Sequence, residues 1–120
     1  MAIKEMREPT FMVLAALADG SKHGYALIGE ADKLSHGRVQ LKVGTLYAAL
    51  DRLQKEGLVS AAGEEVIDGR LRRYFALTEE GKGALEAEVA RMESTAREAR
   101  LRLRSALTFA KTGPVAGAAW

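Results

Sequence analysis

The chain has 120 residues, 48% of them hydrophobic and 6% aromatic, and its 18 Lys and Arg outnumber 16 Asp and Glu for a formal charge of +2. That is one small domain with room for one appended element, and so short a chain buries only about two-thirds of its unfolded surface, so a dimer interface would help it. With 0 Cys and 2 His it excludes disulfide scaffolds, thiolate zinc sites and Cys nucleophiles, and no metal site or cofactor is expected.

Glu8-Pro9 opens the first expected helix, since a proline at the first helical position loses no needed N–H. Phe11, Leu14, Leu17 and Ala18 recur at helical spacing, and Gly20 is the expected left-handed cap. A second helix starts at Ser21 to His23, with Tyr25, Leu27, Ile28, Ala31 and Leu34 as its apolar positions, and Ser35-His36-Gly37 breaks it. Residues 38–41 read as a short extended connector. A third helix spans roughly Val43 to Glu56, with Leu46, Leu50 and Leu53 on its buried face and Thr45, Ala48, Arg52 and Lys55 pointing away.

After Gly57 the period changes. Leu58 to Ala61 reads as a short strand, and Gly63 to Gly69 as a polar, acidic stretch with Asp68-Gly69 as the turn. Arg70 to Leu77 alternates, placing Leu71, Phe75 and Leu77 on one face and Arg70, Arg72 and Tyr74 on the other; Arg73 falls on the apolar face. Thr78 caps the last helix, and Glu79 and Glu80 complement its dipole; Gly81 stands where a capping box would need an acid or amide. Leu85, Val89, Met92, Ala96, Ala99, Leu103 and Ala106 then alternate in steps of 4 and 3, a heptad seam on a helix running to about Phe109. Such a helix is about 45 Å long. One small domain cannot cover it, so the seam predicts pairing with a second copy through Leu85, Val89, Met92, Ala96, Ala99 and Leu103. The expected division is a domain over residues 1–77, a dimerisation helix over 78–109 and a flexible tail over 110–120 that carries Trp120.

No stretch approaches the ~20 apolar residues of a membrane span, and MAIKEMREPT lacks a signal peptide's apolar run, so the expected location is the cytoplasm with no membrane partner. The placement of charge says more than its sum. Lys33, Arg38, Lys42, Arg52 and Lys55 face only Asp51 over one stretch, and Arg70, Arg72 and Arg73 fall within four positions. Three helices, a hairpin and a long helix make a mainly α fold with a small β-hairpin: a winged helix-turn-helix plus a long C-terminal dimerisation helix. In such a fold the third helix enters the major groove of DNA and the hairpin tip reaches backbone or minor groove. Lys42, Arg52, Arg70 and Arg72 are the expected phosphate anchors, and Thr45 and Tyr47 the side chains that reach base edges. A dimer would present two such helices to a two-fold operator in double-stranded DNA.

His23-Gly24-Tyr25, Gly44-Thr45-Leu46-Tyr47, Leu50-Asp51-Arg52-Leu53 leading to Glu56-Gly57-Leu58-Val59, residues 69–75 (Gly-Arg-Leu-Arg-Arg-Tyr-Phe) and residues 77–81 (Leu-Thr-Glu-Glu-Gly) stand in one order over residues 8 to 93. Together they resemble the PadR family of bacterial transcriptional regulators, in its smaller subfamily with one short C-terminal helical region. The resemblance implies a dimeric winged-helix repressor, joined through its last helix and released by a small aromatic or drug-like effector. The sequence departs from the family where Lys42-Val43 replaces a Ser-Pro pair, which loses a hydroxyl cap and gains a phosphate-seeking lysine. It departs again at Ala48, in place of a frequent proline, and at Leu71, where the wing more often has proline. Some drug-binding relatives carry a tryptophan in the dimer helix; here that helix has no aromatic before Phe109.

Several residues have a plainer reading. Gly24 permits close helix approach, Tyr25 packs, and His23 serves the helix start rather than a metal. Tyr47 either packs beside Leu46 or reaches phosphate. Arg97, Arg100, Arg102 and Arg104 sit where the helix dipole favours cations. Ala96 and Ala99 either let helices approach or leave room for a ligand. A winged-helix protein-interaction module without sequence-specific DNA binding is the competing function. No nucleophile–base pair, phosphate loop or metal cluster points to an enzyme.

Overall fold

The structure is a computed structural model that describes the backbone of residues 6–112 and the side chains of residues 6–108. Helix α1 (Glu8–Ala16) begins with the expected proline in its first turn and buries Thr10, Met12, Val13, Leu14 and Ala16. A helix apolar around most of its circumference belongs in the middle of a core. It ends earlier than the spacing suggests. Leu17 is its C-cap, so Gly20, at φ +148°, shapes the following loop instead of capping the helix. Lys22 holds that loop: its ammonium donates to the Ala16 carbonyl at 2.6 Å and pairs with Asp19, whose carboxyl it holds below the ordinary range.

Lys22–His23 is not helix but a two-residue strand, β1, and α2 (Gly24–Leu34) starts one residue later. His23 is the N-cap, its Nδ1 accepting from the Ala26 amide at 3.4 Å. Leu27 and Ala31 are buried as expected, while Tyr25 (70% exposed) and Leu34 face away from the core. Ser35-His36-Gly37 does break the helix. The buried Ser35 hydroxyl donates to the Ala31 carbonyl (2.8 Å) and accepts from the Val39 amide (2.8 Å), while His36 and Gly37 take the positive φ values, +54° and +81°, that turn the chain.

Helix α3 (Val43–Lys55) buries Leu46, Ala49, Leu50 and Leu53, and its N-cap Lys42 makes no side-chain cap bond. Strand β2 (Val59–Ile67) then pairs with β3 (Arg70–Leu77), and β1 adds to the other side of β3 in an antiparallel sheet of order β1-β3-β2. The expected short strand at Leu58–Ala61 is thus only the start of a longer one. Between Ala61 and Glu64 the register slips by one residue, and Gly63 there has φ +108°. A bulge with a glycine in that conformation interrupts alternation, and so hides the rest of the strand from a reading by period. The turn falls where expected: Asp68 (φ +51°) and Gly69 (φ +74°) join Ile67 to Arg70, the two left-handed residues a tight hairpin demands.

Helix α4 (Glu79–Thr112) completes the order. Thr78 caps it as expected, accepting from the Gly81 amide at 2.9 Å, and its own hydroxyl donates to the Gly57 carbonyl at 2.6 Å. The Thr78 amide donates to the Leu58 carbonyl at 3.1 Å. These bonds tie the start of α4 to the loop between α3 and β2. Gly81 is required there, because a Cβ would fall well under 3.0 Å from the Leu58 carbonyl oxygen. The chain divides into two compact units, Met1–Glu88 and Val89–Trp120. In the first, Leu14, Leu27, Leu46, Leu50, Leu53 and Val13 are the large fully buried side chains, joined by Val59, Phe75 and Leu85. Leu85, expected on the dimer seam, packs into the core of this unit. The described part of the second unit is the continuation of α4, which includes residues 110–112, expected in the tail. Residues 113–120, Trp120 among them, lie outside the described residues.

Candidate nucleic-acid interface

In the first unit, α3 and the β2–β3 hairpin are the two elements expected to meet DNA. Lys42 and Thr45 are both exposed in the first turn of α3, where the helix has no side-chain cap. Free amides and a lysine at a helix start attract anions together. The side chains of Leu46, Ala49, Leu50 and Leu53 anchor the opposite face, so the helix presents Lys42 and Thr45 without disturbing the core.

Tyr47 takes part in packing. Its ring meets Phe75 edge to face, centroids 6.4 Å apart, and its hydroxyl lies against Gly24, where a Cβ would come within 2.5 Å of it. Gly24 thus permits the close approach of α2 and α3, as its place in the sequence suggests. Tyr47 remains 41% exposed, so one edge of the ring still faces solvent.

Arg52 departs from the expected group. Ten residues after Lys42, it lies about 15 Å further along the helix axis. Its guanidinium donates to Thr10 Oγ1 at 2.6 Å, in a cavity of about 240 Å³ lined also by Met6, Arg7, Leu53, Glu56, Leu58 and Ala84. Arg52 fastens α3 to α1. Lys55, on the same helix, is paired with Asp51 at 3.1 Å, and Arg38 is paired with Glu8.

The hairpin extends beyond the core. Phe75 is buried and Leu77 half-buried, but Leu71, expected on the apolar face, is exposed beside the exposed Val66, its partner across the ladder. The arginines differ in their neighbours. Arg73 lies opposite Glu64 with an ion pair of 3.9 Å, and Arg72 lies opposite Glu65 in register. The Glu65 carboxylate accepts from the Tyr74 hydroxyl at 2.8 Å, a bond that pushes the phenol above its ordinary range, with burial adding to the effect. Arg70 makes no ion pair among the described residues.

Arg70, Arg72 and Arg73 line one cavity of about 330 Å³ with Leu71, His23, Gly24, Tyr25 and Tyr47. The start of α2, the side of α3 and the hairpin therefore meet at a single basic concavity whose lining contains no carboxylate. Tyr25 and His23 belong to this group, and sequence reasoning assigned them to packing and helix start. The signal for both was their place in residues 23–25, beside the glycine that brings α2 to Tyr47.

In the second unit, Val89 (at its first residue), Met92, Leu103 and Leu107 are exposed, and Ala96 and Ala99 are exposed between them. Leu101 is exposed as well; it and Leu107 lie at positions outside the expected seam.

The model of the PadR-like family of transcriptional regulators matches residues 13–87. Transcriptional regulator Rv3488 of Mycobacterium tuberculosis is 37% identical over 86 residues, covering 72% of this chain and 77% of that protein. The crystal structure of a PadR family transcription regulator from Clostridium difficile R20291 aligns with a TM-score of 0.65 and 24% identity, over 81% of this chain and 99% of that one. Bacillus subtilis PadR, solved in complex with operator DNA, aligns with a TM-score of 0.62 and 20% identity, over 69% of this chain and 47% of that one. The two structures share the winged-helix fold with this chain.

Proposed function

The chain belongs to the PadR-like family of transcriptional regulators, a family of regulators and not of enzymes, and from that premise we propose that it is a homodimeric repressor that grips double-stranded operator DNA and is released by a small-molecule effector. The observation that carries the DNA contact is the basic concavity between α2, α3 and the hairpin, with Lys42 and Thr45 exposed at the adjoining end of α3. Arg70, Arg72 and Lys42 hold phosphates, Thr45 reaches base edges, and Tyr47 offers one ring edge while it braces α2 against α3. Arg52 acts indirectly, by fixing the angle of α3 through Thr10. Bacillus subtilis PadR was solved with operator DNA bound, and its shared fold supports the same partner here.

The exposed line of Val89, Met92, Ala96, Ala99, Leu103 and Ala106 supports pairing with a second copy. Its 4 and 3 steps match a left-handed two-helix seam. Leu85 is left out because its own core already covers it. The effector reading rests on the cavity of about 240 Å³ beside Arg7, Thr10, Arg52 and Glu56, which abuts the residues that fix α3. A ligand there that displaced Arg52 from Thr10 would loosen the DNA-reading helix.

Charge removal at the hairpin tests the DNA contact. An R70Q/R72Q variant should bind operator more weakly, and its affinity should fall less steeply with salt, by about one unit of slope per lost phosphate anchor. Unchanged operator affinity and slope would remove the hairpin from the interface.

A further inference from the structure

The start of α3 exposes Lys42, Val43, Gly44 and Thr45 in succession, and then, past the buried Leu46, Tyr47 and Ala48. Val43 is the first helical residue; it is 50% exposed and stands outside the hydrophobic core. Nothing in the fold calls for a branched aliphatic side chain there, where valine is also a poor helix former. At 3.6 residues per turn, Gly44 and Ala48 lie opposite the buried Leu46, Leu50 and Leu53, with Val43 and Thr45 to either side. A Cβ at Gly44 would have nothing within 4 Å, so the helix backbone is open to close approach on this face.

In the major groove a base is read either by hydrogen bonds to its edge or by apolar contact with the 5-methyl group of thymine. Within α3 the side chains able to form paired hydrogen bonds to one base are engaged or stand elsewhere. Arg52 donates to Thr10, and Gln54 lines a cavity against β2 and β3. Asp51 pairs with Lys55, and the Tyr47 hydroxyl lies against Gly24. Gln40 is exposed on the loop ahead of the helix. The first turn itself offers the Lys42 ammonium, the Thr45 hydroxyl and the isopropyl group of Val43. The cation beside that isopropyl group suits the phosphates that border a groove, and Tyr47 joins this turn to the basic concavity that it lines with Arg70, Arg72 and Arg73.

We propose that Val43 reads the 5-methyl group of a thymine in the major groove of the operator, with Gly44 letting the helix come close to the base. The inference rests on the DNA-binding reading above and gives it a chemistry of base choice. A methyl contact carries no charge, so its loss lowers affinity and leaves the salt dependence as it was.

The test begins with operator sites drawn from a randomised selection by the parent chain. Each thymine is then replaced in turn by uracil, which keeps every hydrogen-bonding group and lacks only the methyl. Fluorescence anisotropy across a salt series compares the parent with Val43→Ala, and thermal denaturation checks the fold of the variant. Uracil at the contacted position should weaken the parent about fourfold per half-site, the worth of one buried methyl, with its salt slope unchanged. Val43→Ala should bind the thymine site more weakly than the parent and be nearly blind to the same replacement. If no uracil site is weaker than its thymine counterpart, or if Val43→Ala keeps the full penalty, the inference is overturned, and binding that survives competitor leaves the DNA-binding reading standing. If no selected sequence survives competitor, the DNA-binding reading fails and takes the methyl contact with it.

Discussion

Replacing Gly81 with alanine should unravel the joint between the hairpin and α4. A Cβ at residue 81 would fall well under 3.0 Å from the Leu58 carbonyl oxygen and 3.1 Å from Leu77 Cδ2. Neither the carbonyl nor the helix backbone is a flexible tip, so the first turn of α4 must move. The move stretches the bond from the Thr78 amide to Leu58 and the Thr78 cap on Gly81. Overpacking of this severity costs about 3 kcal/mol, and the lost hydrogen bond about 1 kcal/mol. Helix propensity returns about 1 kcal/mol. The net loss is about 3 kcal/mol, which lowers the melting midpoint of a domain of this size by roughly 12–24 °C. At Gly83, two residues on, a Cβ would have nothing within 4 Å. Gly83→Ala should therefore stabilise by up to about 1 kcal/mol. Thermal denaturation of both variants at one protein concentration reads the difference, since a dimer's midpoint moves with concentration. A Gly81→Ala variant as stable as the parent would refute the close approach of α4 to Leu58.

Lys42→Ser should restore a hydroxyl cap to α3 and stabilise the fold by about 1 kcal/mol, while operator affinity falls and the salt slope shrinks by about one unit; denaturation and anisotropy read the two effects separately. Gly24→Ala should destabilise by about 1–2 kcal/mol because its Cβ meets the Tyr47 hydroxyl at 2.5 Å, and adding Tyr47→Phe should restore more than half of the loss in the same denaturation assay. Tyr74 should ionise above the usual phenol range, because the Glu65 carboxylate accepts the hydrogen bond of its neutral hydroxyl. Its folded pKa is raised, so the stabilisation is present below the unfolded value near 10 and fades as pH rises through the folded one. Ultraviolet titration of Glu65→Gln should show one phenol returning toward its ordinary range.

Local signals in the sequence were reliable where one residue type has one physical use. The proline at the start of α1, the break at Ser35-His36-Gly37, the Asp68-Gly69 turn and the Thr78 cap all appear where the residues place them. So do the leucines of α3. What escaped was set by contacts distant in sequence or by interrupted periods. Strand β1 has two residues, Lys22 and His23, and exists only because Phe75 and Tyr74 pair with it. The bulge at Gly63 concealed more than half of β2. Leu85 fits the heptad seam and the core equally by spacing, and its burial in the core was not legible from period alone. In the candidate site, Arg70 and Arg72 were legible as a cationic hairpin. The bond of Arg52 to Thr10 was not, because the two lie 42 positions apart. His23 was legible as a helix start but not as a neighbour of Arg72, for the same reason.

The central claim is sequence-specific binding of DNA by a pair of these chains. The measurement that tests it most directly is fluorescence anisotropy with DNA from upstream of the chain's own gene and with sites from a randomised selection. It would be made at about 0.15 M salt with excess unrelated competitor, where non-specific attraction to phosphates is already weakened. The account predicts tight binding that survives competitor, at two chains per site. Binding that vanishes with competitor on every selected sequence would contradict it and favour a winged helix that docks protein partners.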